Sequence, residues 1–177
     1  SGQVLGDAVA AVSSAIYGAT LIILYTMSTL YHALVNEKAK AVFRVFDHVT
    51  IYLLIAGTYT PYTLACLGGA LGWTLFGIVW AAAIVGIVFS SISLRRFQKL
   101  SMICYIAMGW VILIAIKPLW QVIGTLPMVF LVIGGVLYTG GVLFYQMKES
   151  RYMHSIWHLF VIAGSIFQYF SILLALT

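Results

Sequence analysis

Long apolar runs, separated by short gaps that hold most of the charged residues, are the feature that most constrains the fold of this chain. Of its 177 residues, 63% are hydrophobic and only 7% are charged, and the mean hydropathy is +1.09. A soluble domain carries about 25% charged residues, so lipid must be the solvent for most of this surface. The runs reach the length of about 20 residues that a membrane-spanning helix needs. They do not alternate as barrel strands do, and the sequence therefore predicts an all-α, polytopic membrane helix bundle.

The apolar runs divide into six predicted spans, A to F, and nothing between them resembles a linker between domains. We expect one transmembrane domain over residues 1–177. Pro61 lies inside span B, where it removes one helical hydrogen bond and should kink the helix. Small residues four apart in span C, and glycines in span E, predict close helix contacts. The expected bounds are 9–35 for A, 45–67 for B, 71–92 for C, 101–116 for D, 128–147 for E and 154–176 for F.

The basic residues lie in alternate gaps between the spans. Because cytoplasmic loops collect Lys and Arg, the A–B, C–D and E–F loops are predicted to be cytoplasmic and both ends of this chain to lie outside. The pI of about 9.3 then reflects topology, and we expect no nucleic-acid partner. Only Lys117 falls on the other side; the remaining eight are Lys38, Lys40, Arg44, Arg95, Arg96, Lys99, Lys148 and Arg151.

Five ionisable residues lie inside or against the spans: His32, Asp47, His48, His154 and His158. A charge at the centre of a membrane helix costs about 2.5–3.5 kcal/mol on insertion scales, so such residues are functional candidates by default. Span A ends at the cytoplasmic face, whereas spans B and F begin there. The predicted topology therefore brings residues far apart in sequence to one membrane depth, near the cytoplasmic face.

The spacing of these residues suits a metal. His154 and His158 are four apart, on one face of span F. Together with His32 and Asp47 they provide three imidazoles and one carboxylate, which with an open position suit a catalytic Zn²⁺ site better than a Mg²⁺ or Ca²⁺ site. His48 lies one residue off the Asp47 face, and we interpret it as a headgroup or helix–helix contact.

Ser28 lies four residues before His32, on the same face of span A. A serine in a span commonly bonds its own backbone, so the spacing alone leaves both a site role and a local role open. The His-x-x-x-His pair also lacks the glutamate of the zinc-protease motif, because Ser155 stands at that position.

These motifs resemble the hemolysin III proteins, the bacterial branch of the progestin and adiponectin receptor family. The resemblance covers essentially the whole chain. It rests on Ser28-Thr-Leu-Tyr-His32, Asp47-His48, Leu53-Leu-Ile-Ala-Gly-Thr-Tyr-Thr-Pro61, Gly72-Trp-Thr-Leu-Phe-Gly-Ile-Val-Trp80, Met108-Gly-Trp-Val-Ile-Leu-Ile-Ala-Ile-Lys-Pro118 and His154-Ser-Ile-Trp-His158.

The resemblance implies a seven-helix fold in a bacterial plasma membrane, with zinc near the cytoplasmic side. It implies that His32, His154 and His158 are zinc ligands, that Asp47 holds the zinc-bound water and that Ser28 is the motif serine. The family usually has one more helix before span A, which this sequence lacks. Many members also have a histidine ten residues after the second histidine of the pair, where this chain has Gln168.

Three functions follow from the sequence and the resemblance. The wider superfamily includes ceramidases, which implies a zinc-dependent hydrolase acting on a lipid amide or ester. The alternative is a non-enzymatic sensor or regulator of lipid homeostasis, in which zinc staples the helices together. A cytolytic pore former is disfavoured, because the chain has no amphipathic segment able to refold and no polar stripe to line a channel. Membrane lipids are the expected partners in each case.

Overall fold

The computed structural model describes the backbone of residues 2–146 and 153–177, and the side chains of residues 6–144, 153 and 155–177. Within these residues the chain is helical and contains no strand, and six helical segments are long and apolar enough to cross a membrane. The predicted all-α fold with six spans is confirmed. The helices are α1 (Gly2–Ala33), α2 (Glu37–Thr60), α3 (Gly69–Ile92), α4 (Leu94–Trp110), α5 (Ile116–Ile123), α6 (Thr125–Gln146) and α7 (Met153–Leu176).

The helices form two compact units. In the first unit (Ser1–Val111), α1 packs on α2, α2 packs on α3 and α4, and α3 packs on α4. In the second unit (Ile112–Thr177), α6 and α7 form an antiparallel hairpin that α5 contacts. The expectation of a single domain over residues 1–177 stays a prediction.

Side-chain caps explain why α2 and α4 begin earlier than the apolar runs predict. The Asn36 side chain accepts hydrogen bonds from the backbone N–H groups of Lys38 and Ala39, both at 3.1 Å, so α2 begins at Glu37. Ser93 accepts from the N–H of Arg96 at 3.4 Å and begins α4 in the same way. Side-chain caps of this kind satisfy the first unpaired N–H groups of a helix. The basic segments between the apolar runs are therefore partly helical extensions of the spans.

Two prolines interrupt the regular helices. The predicted break at Pro61 takes the form of a π-helical segment, Pro61–Leu67, which continues α2 and closes with the Gly68 N–H donating to the Thr63 carbonyl at 2.9 Å. The end predicted for span D at residue 116 is wrong, because the span continues to Ile123. A tighter 3-10 turn, Val111–Ala115, precedes Pro118, whose ring crowds the carbonyl of the preceding turn.

A glycine determines how α1 and α2 pack. A Cβ atom at Gly57 would overlap the Thr20 side chain, so the two helices approach closely where these residues meet. Thr20 is buried, and its hydroxyl donates to the Tyr17 carbonyl at 2.8 Å. The contact sets the register of this antiparallel pair, and hence the relative heights of the residues along both helices.

Candidate metal site

The packing of α1 against α2 brings His32 and Asp47 to similar positions along the helix axes, which we call their heights. Thr20 and Gly57 lie side by side; His32 is twelve residues further along α1, and Asp47 is ten residues back along α2. At the helical rise, these positions lie about 18 Å and about 15 Å from that contact, toward the same end. The two residues therefore differ in height by only about 3 Å on this count.

The His32 ring is oriented by its own helix. Its Nδ1 atom donates a hydrogen bond to the Ser28 carbonyl oxygen at 2.8 Å. A carbonyl can only accept, so Nδ1 carries the proton and Nε2 carries the lone pair. Metal-bound histidines usually show this arrangement, in which the second nitrogen donates to an oxygen. The spacing predicted that Ser28 and His32 lie close together, and they do. The contact involves the backbone carbonyl of Ser28.

Asp47 lies ten residues after Glu37, where α2 begins, and is buried at 5% exposure. Five residues further along α2, at Tyr52, a polar network that sequence reasoning missed ties α2 to its neighbours. The Ser90 and Ser101 hydroxyls, on α3 and α4, hydrogen-bond to each other at 2.9 Å. The buried Tyr52 hydroxyl reaches both serines. The network therefore supports the α2 segment that carries Asp47.

His48 shares the ring geometry of His32, because its Nδ1 donates to the Arg44 carbonyl at 2.8 Å. Its own backbone carbonyl accepts a hydrogen bond from the Tyr105 hydroxyl at 2.9 Å. This bond joins α2 to α4 and was not predicted. The only sequence signal for it was a tyrosine in the middle of an apolar run. The interpretation of His48 as a non-ligand stays a prediction.

In the second unit, His154 and His158 both lie on α7, which is helical from Met153. The His154 side chain lies outside the described residues. His158 is half-buried, and its ring centroid is 4.6 Å from that of Trp157. The helix continues through both positions, so the spacing of four residues keeps the two histidines on one face. Their proposed role as ligands stays a prediction.

Gln168 has a role in packing, at the position where the resemblance leads one to expect a histidine. Its amide donates to the Leu131 carbonyl of α6 at 3.1 Å, and its side chain fills the space beside Gly134. Two further hydrogen bonds join α6 and α7 near Gln168. The Ser165 and Tyr138 hydroxyls bond to each other, and the Ser171 hydroxyl donates to the Pro127 carbonyl. The side-chain oxygen of Gln168 is buried and has no hydrogen-bond partner among the residues that the structure describes.

Among the residues that the structure describes, no group of three or more His, Cys, Asp and Glu side chains lies close enough to hold a metal ion. Within the first unit, the candidate residues are His32 and Asp47; within the second, they are His158 and His154. Each unit thus carries part of the predicted donor set, near the loop end of its helices.

The six helical segments, each long and apolar enough to cross a membrane, define a polytopic α-helical integral membrane protein. The chain belongs to the haemolysin-III related family, whose model matches residues 2–169. This match confirms the resemblance drawn from the motifs.

Curated relatives agree with the family match. The chain is 46% identical to "Hemolysin-3" of Bacillus cereus over 168 residues, which cover 95% of this chain and 77% of the relative. It is 44% identical to "Hemolysin-3 homolog" of Bacillus subtilis over the same length, covering 95% and 79%. The human "Monocyte to macrophage differentiation factor" is 26% identical over 163 residues, covering 89% and 67%, and supports the wider receptor-family relationship. No solved structure matches the chain significantly.

Proposed function

We propose that this membrane protein is a zinc-dependent hydrolase of a lipid amide or ester, with His32, His154 and His158 as the zinc ligands. The observation that carries the proposal is the pairing in the first unit. A histidine whose Nδ1–H is held by a carbonyl lies at the height of a buried aspartate on the neighbouring helix. The family resemblance supplies the rest of the donor set.

The donor chemistry fits zinc. The hydrogen bond from His32 to the Ser28 carbonyl uses Nδ1, so Nε2 is the atom that would bind a metal, and imidazole suits zinc better than it suits Mg²⁺ or Ca²⁺. When bound, zinc would polarise the substrate carbonyl and lower the pKa of water to about 7. A proton acceptor beside that water completes the requirements for hydrolysis.

Asp47 would be this acceptor. Its carboxylate would orient the attacking water, accept its proton and return that proton to the leaving amine or alcohol. Burial of Asp47 at 5% exposure supports the role, because a carboxylate shielded from bulk water interacts more strongly with nearby charges. The network of Tyr52, Ser90 and Ser101 would keep its helix in place.

Zinc analysis of the purified protein tests the ligand set. We expect about one zinc per chain, and loss of most of it in each of the variants His32→Ala, His154→Ala and His158→Ala. His48→Ala is the matched control, because His48 has the same Nδ1 contact to a carbonyl and should keep the zinc. Zinc retained in all three ligand variants would refute the assignment.

The variant Asp47→Asn separates catalysis from a structural metal. It preserves shape but removes the proton acceptor, so zinc should stay bound while hydrolysis of lipid amides and esters falls by about 10–100-fold. Asp7→Asn is the control, because Asp7 is exposed near the start of α1. If zinc and thermal stability disappear together in Asp47→Asn, the metal is structural and the sensor or regulator alternative is supported.

A further inference from the structure

Six basic residues cluster on the first turns of two neighbouring helices in the first unit. Five of them are exposed and Lys40 is half-buried. We call this set the basic rim. It consists of Lys38, Lys40 and Arg44 on α2, and Arg95, Arg96 and Lys99 on α4.

The two halves of the basic rim lie at one height. The Tyr105 hydroxyl of α4 donates to the His48 carbonyl of α2. His48 is eleven residues after Glu37, where α2 begins, and Tyr105 is eleven residues after Leu94, where α4 begins. Both helices run the same way, because α3 returns the chain between them. Their first residues therefore lie level, about 16 Å from this shared contact.

The basic rim also extends beyond the end of α1. From the contact between Thr20 and Gly57, α1 continues about 20 Å to Ala33, whereas α2 reaches about 30 Å to Glu37. The first turns of α2 thus project about 10 Å past the end of the neighbouring helix. The continuous helical segment Glu37–Leu67 has 31 residues, about ten more than the hydrocarbon core needs, and we expect its basic first turns to be the end that reaches the lipid headgroups.

Within the described residues, acidic side chains on the first turns of α2 and α4 are too few to balance the positive charge of the basic rim. The first turns of α2 and α4 contain one acidic residue, Glu37. None of the six basic residues forms an ion pair within the part of the chain that the structure describes. Helix N-termini already carry partial positive charge, and cations there are unfavourable. An anion from outside the protein would relieve this repulsion.

Apolar side chains continue directly from the basic residues on the same helices. Val42 and Phe46 on α2 are 54% and 45% exposed, and Leu100 and Ile103 on α4 are 48% and 64% exposed. A ligand that fits this surface has a negative head level with the basic rim and an apolar body alongside these residues. Anionic phospholipids have this shape, and clusters of four to eight Lys and Arg next to membrane helices are typical sites for them.

We propose that the basic rim binds the phosphate headgroups of anionic phospholipids, in the leaflet that meets the first turns of α2 and α4. Arginine can bind phosphate oxygens through two parallel hydrogen bonds, which favours Arg95 and Arg96 as the strongest contacts. The charge asymmetry of the loops requires basic residues somewhere on this side. It does not require them on helical turns level with each other and next to exposed apolar side chains.

Lipid retention by the purified protein tests the proposal. The protein would be incubated with detergent-solubilised phosphatidylglycerol and phosphatidylcholine, and bound lipid would be counted by native mass spectrometry at low and high salt. We expect preferential retention of phosphatidylglycerol, weakened by salt. In the variants Arg95→Gln/Arg96→Gln and Lys38→Gln/Lys40→Gln, retention at low salt should fall by about fivefold for each charge removed.

Two controls distinguish specific binding from general charge and from misfolding. Lys117→Gln removes an exposed lysine of the second unit and should not change retention. The variant Arg95→Lys/Arg96→Lys preserves the charge. It should keep most of the lipid, which would show that the loss in Arg95→Gln/Arg96→Gln comes from the charge and not from misfolding. Equal retention of both lipids by the unmutated protein would overturn the proposal, and so would an equal loss in Lys117→Gln. Inorganic phosphate that displaces the lipid at equal concentration would point to a free-phosphate site instead and also overturn it. Zinc and hydrolysis are not measured, so the result is independent of the proposed function.

Discussion

Replacement of Gly57 by alanine would test the packing that brings α1 and α2 into register. The new Cβ atom would overlap both the hydroxyl and the methyl group of Thr20. Thr20 cannot easily turn away, because it is 6% exposed and its hydroxyl is bonded to the Tyr17 carbonyl at 2.8 Å. A β-branched side chain in a helix also has few alternative rotamers. The helices must therefore separate, or the hydrogen bond must break.

The size of the expected change in free energy of unfolding follows from a comparison of Gly57→Ala with Gly77→Ala. An alanine at either position gains about 0.8–1 kcal/mol of helix propensity, and a Cβ atom at Gly77 would meet nothing within 4 Å. The difference in free energy of unfolding between Gly57→Ala and Gly77→Ala thus isolates the steric cost. For overpacking of a buried contact, this cost is about 1–3 kcal/mol.

Thermal unfolding of the purified variants in one detergent measures the difference. Gly57→Ala should unfold at a lower temperature than Gly77→Ala, and Thr20→Ala should restore part of the loss when combined with Gly57→Ala. The double variant serves as a thermodynamic cycle for the contact. Equal stability of the two glycine variants would refute the close contact between α1 and α2, and with it the derived heights of His32 and Asp47.

Three further predictions concern topology and the buried polar groups. Reporter fusions after Thr177 and after Ser93 should report opposite sides of the membrane, because basic residues lie at alternate gaps; the same side for both would contradict the six-span topology. Tyr105→Phe should lower the free energy of unfolding by about 0.5–1.5 kcal/mol through loss of its hydrogen bond to His48, whereas the 48% exposed Tyr169 should tolerate Phe within about 0.5 kcal/mol. Gln168→Met should raise stability by about 1 kcal/mol in chemical or thermal unfolding, because relief of the buried, unpartnered oxygen outweighs loss of the hydrogen bond to Leu131; a clear loss of stability would contradict this balance.

The sequence predicted spans more reliably than helix ends. Apolar runs locate the part of a helix that lies in lipid, and all six were located correctly. The start of α2 at Glu37 depends on the Asn36 cap, and the continuation past Ile116 depends on how the chain accommodates Pro118. Hydropathy is insensitive to caps and proline geometry, so these boundaries were misplaced by several residues.

The sequence alone determined that the chain forms six membrane helices, that Ser28 and His32 share a helix face, and that His154 and His158 share another. These properties are local, because they follow from apolar length and from the helical repeat. The topology also predicted that His32 and Asp47 lie at one membrane depth. Only the tertiary structure decided that the approach of Thr20 to Gly57 sets this register, and that Tyr52 reaches the pair Ser90 and Ser101. Such contacts depend on the register between helices. That register is determined by where a small residue such as Gly57 admits a partner side chain, which the periodicity of a single helix does not reveal.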